Sequence, residues 1–123
     1  MTTDLETRYL DYVAAFNAHD FEALSTYVDP EVVFEWDGIM PDLVGRDAFF
    51  DFYRLAWTRF DEVIAARVLE STATTLTAWI DTRLAIRQDW LDCPIQPYRA
   101  GEVHEIAGEV RYEFRAGRII NIR

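Results

Sequence analysis

A chain of 123 residues and 14.4 kDa has room for one hydrophobic core and one domain. Half of its residues are hydrophobic, 15% are aromatic and 28% are charged, which is too apolar for disorder and too interrupted by charge for a membrane span. With 12 basic against 22 acidic residues the net charge is -10 and the pI is near 4.5, so nucleic-acid backbones and anionic lipid surfaces are repelled. The expectation is a single globular domain over residues 1–123 that binds neither nucleic acid nor membrane.

All the basic residues are arginines, which excludes lysine Schiff-base chemistry and pyridoxal phosphate attached through lysine. The single cysteine, Cys93, cannot form an internal disulfide. Residues 1–10 carry neither a basic start nor the apolar run of a secretory signal, so a cytoplasmic protein is expected. No zinc-ligand spacing, phosphate-cradling glycine loop or nucleophile elbow occurs, and no metal or cofactor is expected.

In chain order, Thr3 and Glu6 form a capping box, and Leu5, Tyr9, Tyr12, Val13 and Phe16 recur at helical spacing, predicting a helix over about residues 4–18. Asn17 to Asp20 break it, and Asp20 caps a shorter helix carrying Phe21, Leu24 and Tyr27 that Asp29 and Pro30 stop. A strand follows over 31–37, with Val32, Phe34 and Trp36 on one face and Val33, Glu35 and Asp37 on the other. After a loop over 38–44, a strongly aromatic helix begins at Gly45 to Asp47. From residue 62 the period becomes two, in segments near 62–70, 74–90, 98–115 and 118–122. Leu76, Ala78, Ile80, Thr82, Leu84 and Ile86 share one face of the second segment, opposite Thr77, Trp79, Asp81, Arg83 and Arg87.

Three helices followed by a meander of long strands imply an α+β fold in which a curved, mostly antiparallel sheet forms a cone around the N-terminal helices. A sheet that curls around a helix without filling the space leaves an apolar cavity at its open end, the default place for a small molecule.

The run from Tyr12 to Asp20 resembles the first-helix signature of the nuclear transport factor 2-like superfamily, in its ketosteroid isomerase and SnoaL-like polyketide cyclase branches. The element order agrees over nearly the whole chain, to the closing hairpin of Arg115 to Ile120. The resemblance implies that Tyr12 stands where a ketosteroid isomerase has an oxyanion-hole tyrosine, with Tyr53 at the place of a second tyrosine behind it. It puts Trp36 at the place of the general-base aspartate, with Asp37 one residue on and on the opposite face unless the strand bends at Gly38. It puts Val110 at the place of the second oxyanion donor, where valine donates nothing. The acidic residue that SnoaL-like cyclases and limonene epoxide hydrolases carry at the last strand is missing, and Asp81 with Arg83 reads as a surface charge pair. Steroid isomerisation is therefore not expected.

For the proton carrier the sequence offers Asp37, if re-aimed, or His104, which shares strand parity with Ile106, Val110, Tyr112 and Phe114. His19 reads as a surface or capping residue. Trp36, Phe49, Tyr53, Trp57, Tyr112 and Phe114 read as core and as the wall of a cage for a flat apolar ligand such as an aromatic, terpenoid, steroid or polyketide molecule. The expected site is thus Tyr12, Asp37 and His104 for chemistry, with Trp36, Tyr53, Trp57, Val110 and Tyr112 around the ligand. Trp79 among arginines and acids on the outer sheet face reads as a homodimer interface, the surface through which members of that superfamily commonly pair. Two readings stand: a cofactor-free proton-transfer enzyme acting on an apolar carbonyl compound, and a non-catalytic binder or association module of the same fold.

Overall fold

The computed structural model describes residues 4–123; the Thr3 half of the expected capping box lies outside them. Helix α1 runs Asp4–Asn17 and buries Leu5, Tyr9, Tyr12, Val13, Ala15 and Phe16, the stripe its spacing dictates. Asp20 caps helix α2 (Phe21–Tyr27) through a 3.1 Å bond from the Ala23 amide. Strand β1 is Val28–Phe34, earlier than the sequence suggests. Asp29 and Pro30 belong to the strand, where the pairing register with its neighbour shifts between Val28 and Val33 and a proline is tolerated.

Two residues, Leu43–Val44, form β2 within the segment expected to be loop. Helix α3 (Arg46–Arg59) buries Phe49, Phe50, Tyr53, Ala56 and Trp57, and runs straight into β3 (Phe60–Ser71). The β4 (Thr75–Ile86) and β5 (Val103–Arg115) strands are joined by a long connection in which Trp90 and Tyr98 make an isolated bridge, so both strands are shorter there than periodicity implied. Ala116 and Gly117, both at positive φ, turn the chain into β6 (Arg118–Ile122), as a two-residue hairpin requires.

The strands form one open six-stranded sheet in the order β2-β1-β6-β5-β4-β3, antiparallel except where β1 meets β6. The sheet curves around α1 and α3 without closing on itself, an α+β architecture as expected. Its inner face is continuous with the helical stripes in a single cluster that includes Tyr9, Phe49, Phe60, Leu76 and Ile119, all almost fully buried. No helix of the described residues is long and apolar enough to cross a membrane. β3, at one end of the strand order, leaves one of its edges to be covered by something other than a strand.

Candidate functional site

The core cluster does not fill the cone. A cavity of about 230 Å³ remains between the inner sheet face and the helices. Tyr12 and Phe16 of α1 and Phe52 and Tyr53 of α3 form one wall, and Phe34, Trp36 and Ile39 close one side. Strands β3 to β6 supply the opposite wall, and Ile95 and Tyr98 reach in from the long connection. Ile39 and Ile106 line the cavity and are also exposed, which places them at its mouth. None of the lining residues is an arginine, lysine or histidine.

One ionisable carboxyl faces this apolar space. The first residues of β3 alternate buried and exposed, and the buried register holds Phe60, Glu62 and Ile64. Glu62 is therefore carried inward by strand geometry alone, and it is 8% exposed. Its Oε1 accepts a 3.1 Å hydrogen bond from the Trp57 indole N–H. Burial raises the carboxyl to about 7, and the indole donor offsets part of that rise by stabilising the charged form. A carboxyl in that range exchanges a proton readily near neutral pH.

Two phenols stand near it. Tyr12 and Tyr53 are buried and line the cavity. Burial first, then Tyr9 and Glu62, hold the Tyr12 phenol far above the ordinary tyrosine value. For Tyr53 the causes are burial, then Glu62, then Tyr12. Both remain protonated, and so remain donors, at any ordinary pH. Among the described residues no direct hydrogen bond joins Tyr12 to Tyr53; the tyrosine pair that bonds is Tyr9 to Tyr112, at 3.3 Å. The Trp36 indole nitrogen is buried without an acceptor, its ring stacked on Phe34 at 4.6 Å and part of the cavity wall.

The other residues singled out from sequence fall in different places. Val110 and Tyr112 line the cavity, as do Trp36 and Tyr53. Trp57 is buried one layer behind, against Phe16, Tyr53 and Phe21. Asp37 is exposed in the turn after β1, and its own backbone takes the positive φ of 47°. The bend at Gly38 does not swing the carboxylate among the residues that line the cavity. His104 keeps the inner-face parity, but it packs edge-on against Tyr98 and pairs with Glu102 at 3.3 Å, outside the cavity wall. Arg83 faces Glu105 across the strands at 4.0 Å on the outer surface, rather than pairing with Asp81.

Glu62 is legible in the sequence although it is not among the expected site residues. A lone glutamate in the apolar register of an alternating strand, flanked at two-residue spacing by Phe60 and Ile64, is a buried acid by pattern.

The fold has many solved counterparts. It is similar to a SnoaL-like polyketide cyclase from Agrobacterium tumefaciens strain C58, with 24% identity and a TM-score of 0.74, over 99% of this chain and 89% of that one. A proposed polyketide cyclase from Pseudomonas putida KT2440 is 17% identical with a TM-score of 0.84, over 98% and 90% of the two chains. An LEH-like epoxide hydrolase from M. tuberculosis is 15% identical with a TM-score of 0.77, over 99% and 81%. At these identities the likeness carries the fold and no activity. No curated protein matches the chain in sequence. The family model of the SnoaL-like domain does match, from residue 9 to residue 122, and so takes in every wall of the cavity: this chain belongs to the SnoaL-like domain family.

Proposed function

We propose that the protein is a cofactor-free proton-transfer enzyme acting on a small, neutral, mostly apolar carbonyl compound, with Glu62 as the proton carrier. The single observation that carries this reading is the placement of one buried carboxyl, raised to about 7, in an otherwise apolar cavity beside two permanently protonated phenols. The Glu62 carboxylate removes a proton from the carbon next to the carbonyl, and the electron pair moves onto the carbonyl oxygen as an enolate. Tyr12 or Tyr53 donates a hydrogen bond to that oxygen, which is worth most where water is excluded. The proton now on Glu62 then returns either to another carbon of the same conjugated enolate, which gives an isomer, or to the alkoxide oxygen left when the enolate carbon attacks a second carbonyl of the molecule, which gives a ring; neither outcome needs an external reagent.

Cavity size narrows the substrate. An apolar cavity of roughly 150 Å³ holds a benzene ring, so about 230 Å³ buries a molecule of one substituted ring or two small fused rings. A four-ring steroid or polyketide skeleton would protrude through the mouth between Ile39 and Ile106. The lack of any lining cation, with Glu62 half ionised at neutral pH, disfavours carboxylates and phosphates. The Trp36 indole N–H offers a third donor to a polar substituent.

The test is exchange of substrate protons for deuterium, followed by NMR on a panel of neutral one-ring and two-ring ketones. Exchange that disappears in Glu62→Gln supports the enzyme. Saturable binding of the same compounds, unchanged in Glu62→Gln and without exchange in the native protein, supports the non-catalytic binder instead. We also propose that two copies pair through the outer sheet face around Trp79.

A further inference from the structure

Asn17, His19 and Trp57 contact Glu62 or its strand without lining the cavity. β3 ends the strand order, and its free edge at this point is bonded by side chains from the break between α1 and α2. The Asn17 amide makes two bonds to Ile64, donating from Nδ2 to the carbonyl and accepting the backbone N–H at Oδ1, each 2.9 Å. Two residues on, His19 Nε2 lies 3.1 Å from the Glu62 carbonyl oxygen. A carbonyl oxygen only accepts, so Nε2 carries the proton. Residues 17 and 19 thus match edge groups of residues 64 and 62, the two-residue step at which an edge strand presents them.

The same imidazole lies flat on the Trp57 indole, with centroids 4.0 Å apart and planes 7° apart. Phe16 and Tyr53 hold the other sides of that indole. Its N–H points to Glu62 Oε1, and Oε2 has no protein donor among the described residues. The imidazole therefore touches both ends of one construction: the backbone of Glu62 directly and the side chain of Glu62 through Trp57. His19 is kept at a positive φ of 54°, where a non-glycine residue is held only by its surroundings.

We propose that His19 is the positioning residue for the Glu62 carboxyl, fixing the plane of Trp57 so that Oε1 is held by the indole N–H and Oε2 is left to exchange a proton with a bound molecule. The catalytic consequence rests on the reading of Glu62 as proton carrier, whereas the positioning itself does not. The titratable groups around Glu62 are Tyr12 from α1, Tyr53 from α3 and Tyr98 from the long connection. His104 stands in the same cross-strand row but with Leu84 between. His19 meets only the carbonyl end. With no arginine or lysine lining the cavity, the indole N–H is the one side-chain donor to this carboxylate among the described residues, and its alignment decides how much of the rise caused by burial is offset.

The test is the titration of the Glu62 carboxyl by ¹³C NMR in the full-length chain, which needs no substrate. Trp57→Phe removes the donor and should move the midpoint up by about one pH unit, since loss of a hydrogen bond to the charged form disfavours it. His19→Asn tolerates the left-handed backbone but lacks the stacking ring, and should move the midpoint in the same direction by at least half as much. His19→Phe keeps the ring and should leave the midpoint within a few tenths of a unit. In the native protein, the ¹⁵N shift of His19 should show Nε2 protonated. A midpoint unmoved in His19→Asn while Trp57→Phe shifts it, or an unprotonated Nε2 in the native protein, overturns the proposal. Shifts as expected with no deuterium exchange in any variant would leave the positioning intact and remove the proton-transfer reading.

Discussion

The Trp57 indole nitrogen and the Glu62 Oε1 meet at 3.1 Å across a helix-to-strand junction that has no loop: α3 ends at Arg59 and β3 begins at Phe60. The bond ties the last turn of the helix to the inward register of the strand. It also fixes the one carboxyl of the cavity wall to the helix that supplies the opposite wall.

Glu62 should make stability fall as pH rises. Its folded-state value of about 7 lies above the usual 4.5, so the folded protein holds this proton more tightly than the unfolded chain does. Below about pH 4.5 both states are protonated and there is no cost; the cost grows through the window from 4.5 to 7 and is full above it. The difference corresponds to about 3 kcal/mol as an upper bound. Glu62→Gln, which cannot titrate, should therefore match the native protein in urea denaturation at pH 4 and be more stable by about 2–3 kcal/mol at pH 8. Equal stability at both pH values would show that the carboxyl is solvated.

Among the described residues Tyr12 and Tyr53 make no hydrogen bond through their hydroxyls, so removing either hydroxyl should leave stability nearly unchanged. Tyr12→Phe and Tyr53→Phe should weaken binding of a neutral ketone by about fivefold to tenfold, the net worth of one hydrogen bond. Tyr9→Phe, by contrast, breaks the buried bond to Tyr112 and should lower stability by about 1 kcal/mol without touching affinity. Calorimetry paired with thermal denaturation separates the two outcomes.

Asn17 is expected to be structural and costly to lose. Asn17→Ala leaves the Ile64 N–H and carbonyl at the edge of β3 without their partners, and should cost about 2 kcal/mol. Hydrogen exchange at the Ile64 amide should accelerate by more than the global change accounts for. An amide exchanging at the native rate in Asn17→Ala would mean that another group covers the edge.

Periodicity reveals the helices, the long strands and the inner face of β4 because helix and strand each impose a repeat that a core must respect. It places Tyr12, Tyr53, Trp36, Val110 and Tyr112 on core-facing stripes, while the site positions of Tyr12, Tyr53, Trp36 and Val110 come from the family resemblance. It misses β2, which is only Leu43–Val44, and it misplaces β1, because Pro30 reads as a stop where the register shift admits it. The role of His19 is not in any local pattern: its partners are Trp57 and Glu62, more than thirty residues away, and only packing of the helix break against the β3 edge brings them together. Glu62 lies between these cases, since its register is in the sequence and its indole partner is not.

The two acids and bases most visible in the sequence should prove dispensable. Asp37 is exposed, and His104 is taken up by Glu102 and Tyr98. Asp37→Asn and His104→Gln should retain deuterium exchange within about twofold, whereas Glu62→Gln should lose at least about a hundredfold, the usual worth of a positioned acid or base. Loss confined to His104→Gln would move the proton carrier to the Tyr98 side of the cavity.

The outer sheet face carries the last prediction. Trp79 sits in register between Arg67 on β3 and Glu109 on β5, and Arg83 sits between Val63 and Glu105. Between these rows lies a shallow groove floored by Ala65 and Ala107, with Val63 exposed at its side. A tryptophan, a small-residue groove and charges of both signs on one sheet face suit a two-fold contact, in which each arginine can meet an acid of the second copy. Sedimentation velocity at micromolar concentration should give a dimer for the native chain. Trp79→Ser should weaken it, and Arg83→Glu, which sets like charges against each other across the two-fold, should give a monomer that still binds ligand, since Arg83 and Trp79 lie on the opposite face of the sheet from the cavity. A native monomer would remove the dimer, and a monomeric Arg83→Glu that no longer binds ligand would mean that pairing shapes the cavity.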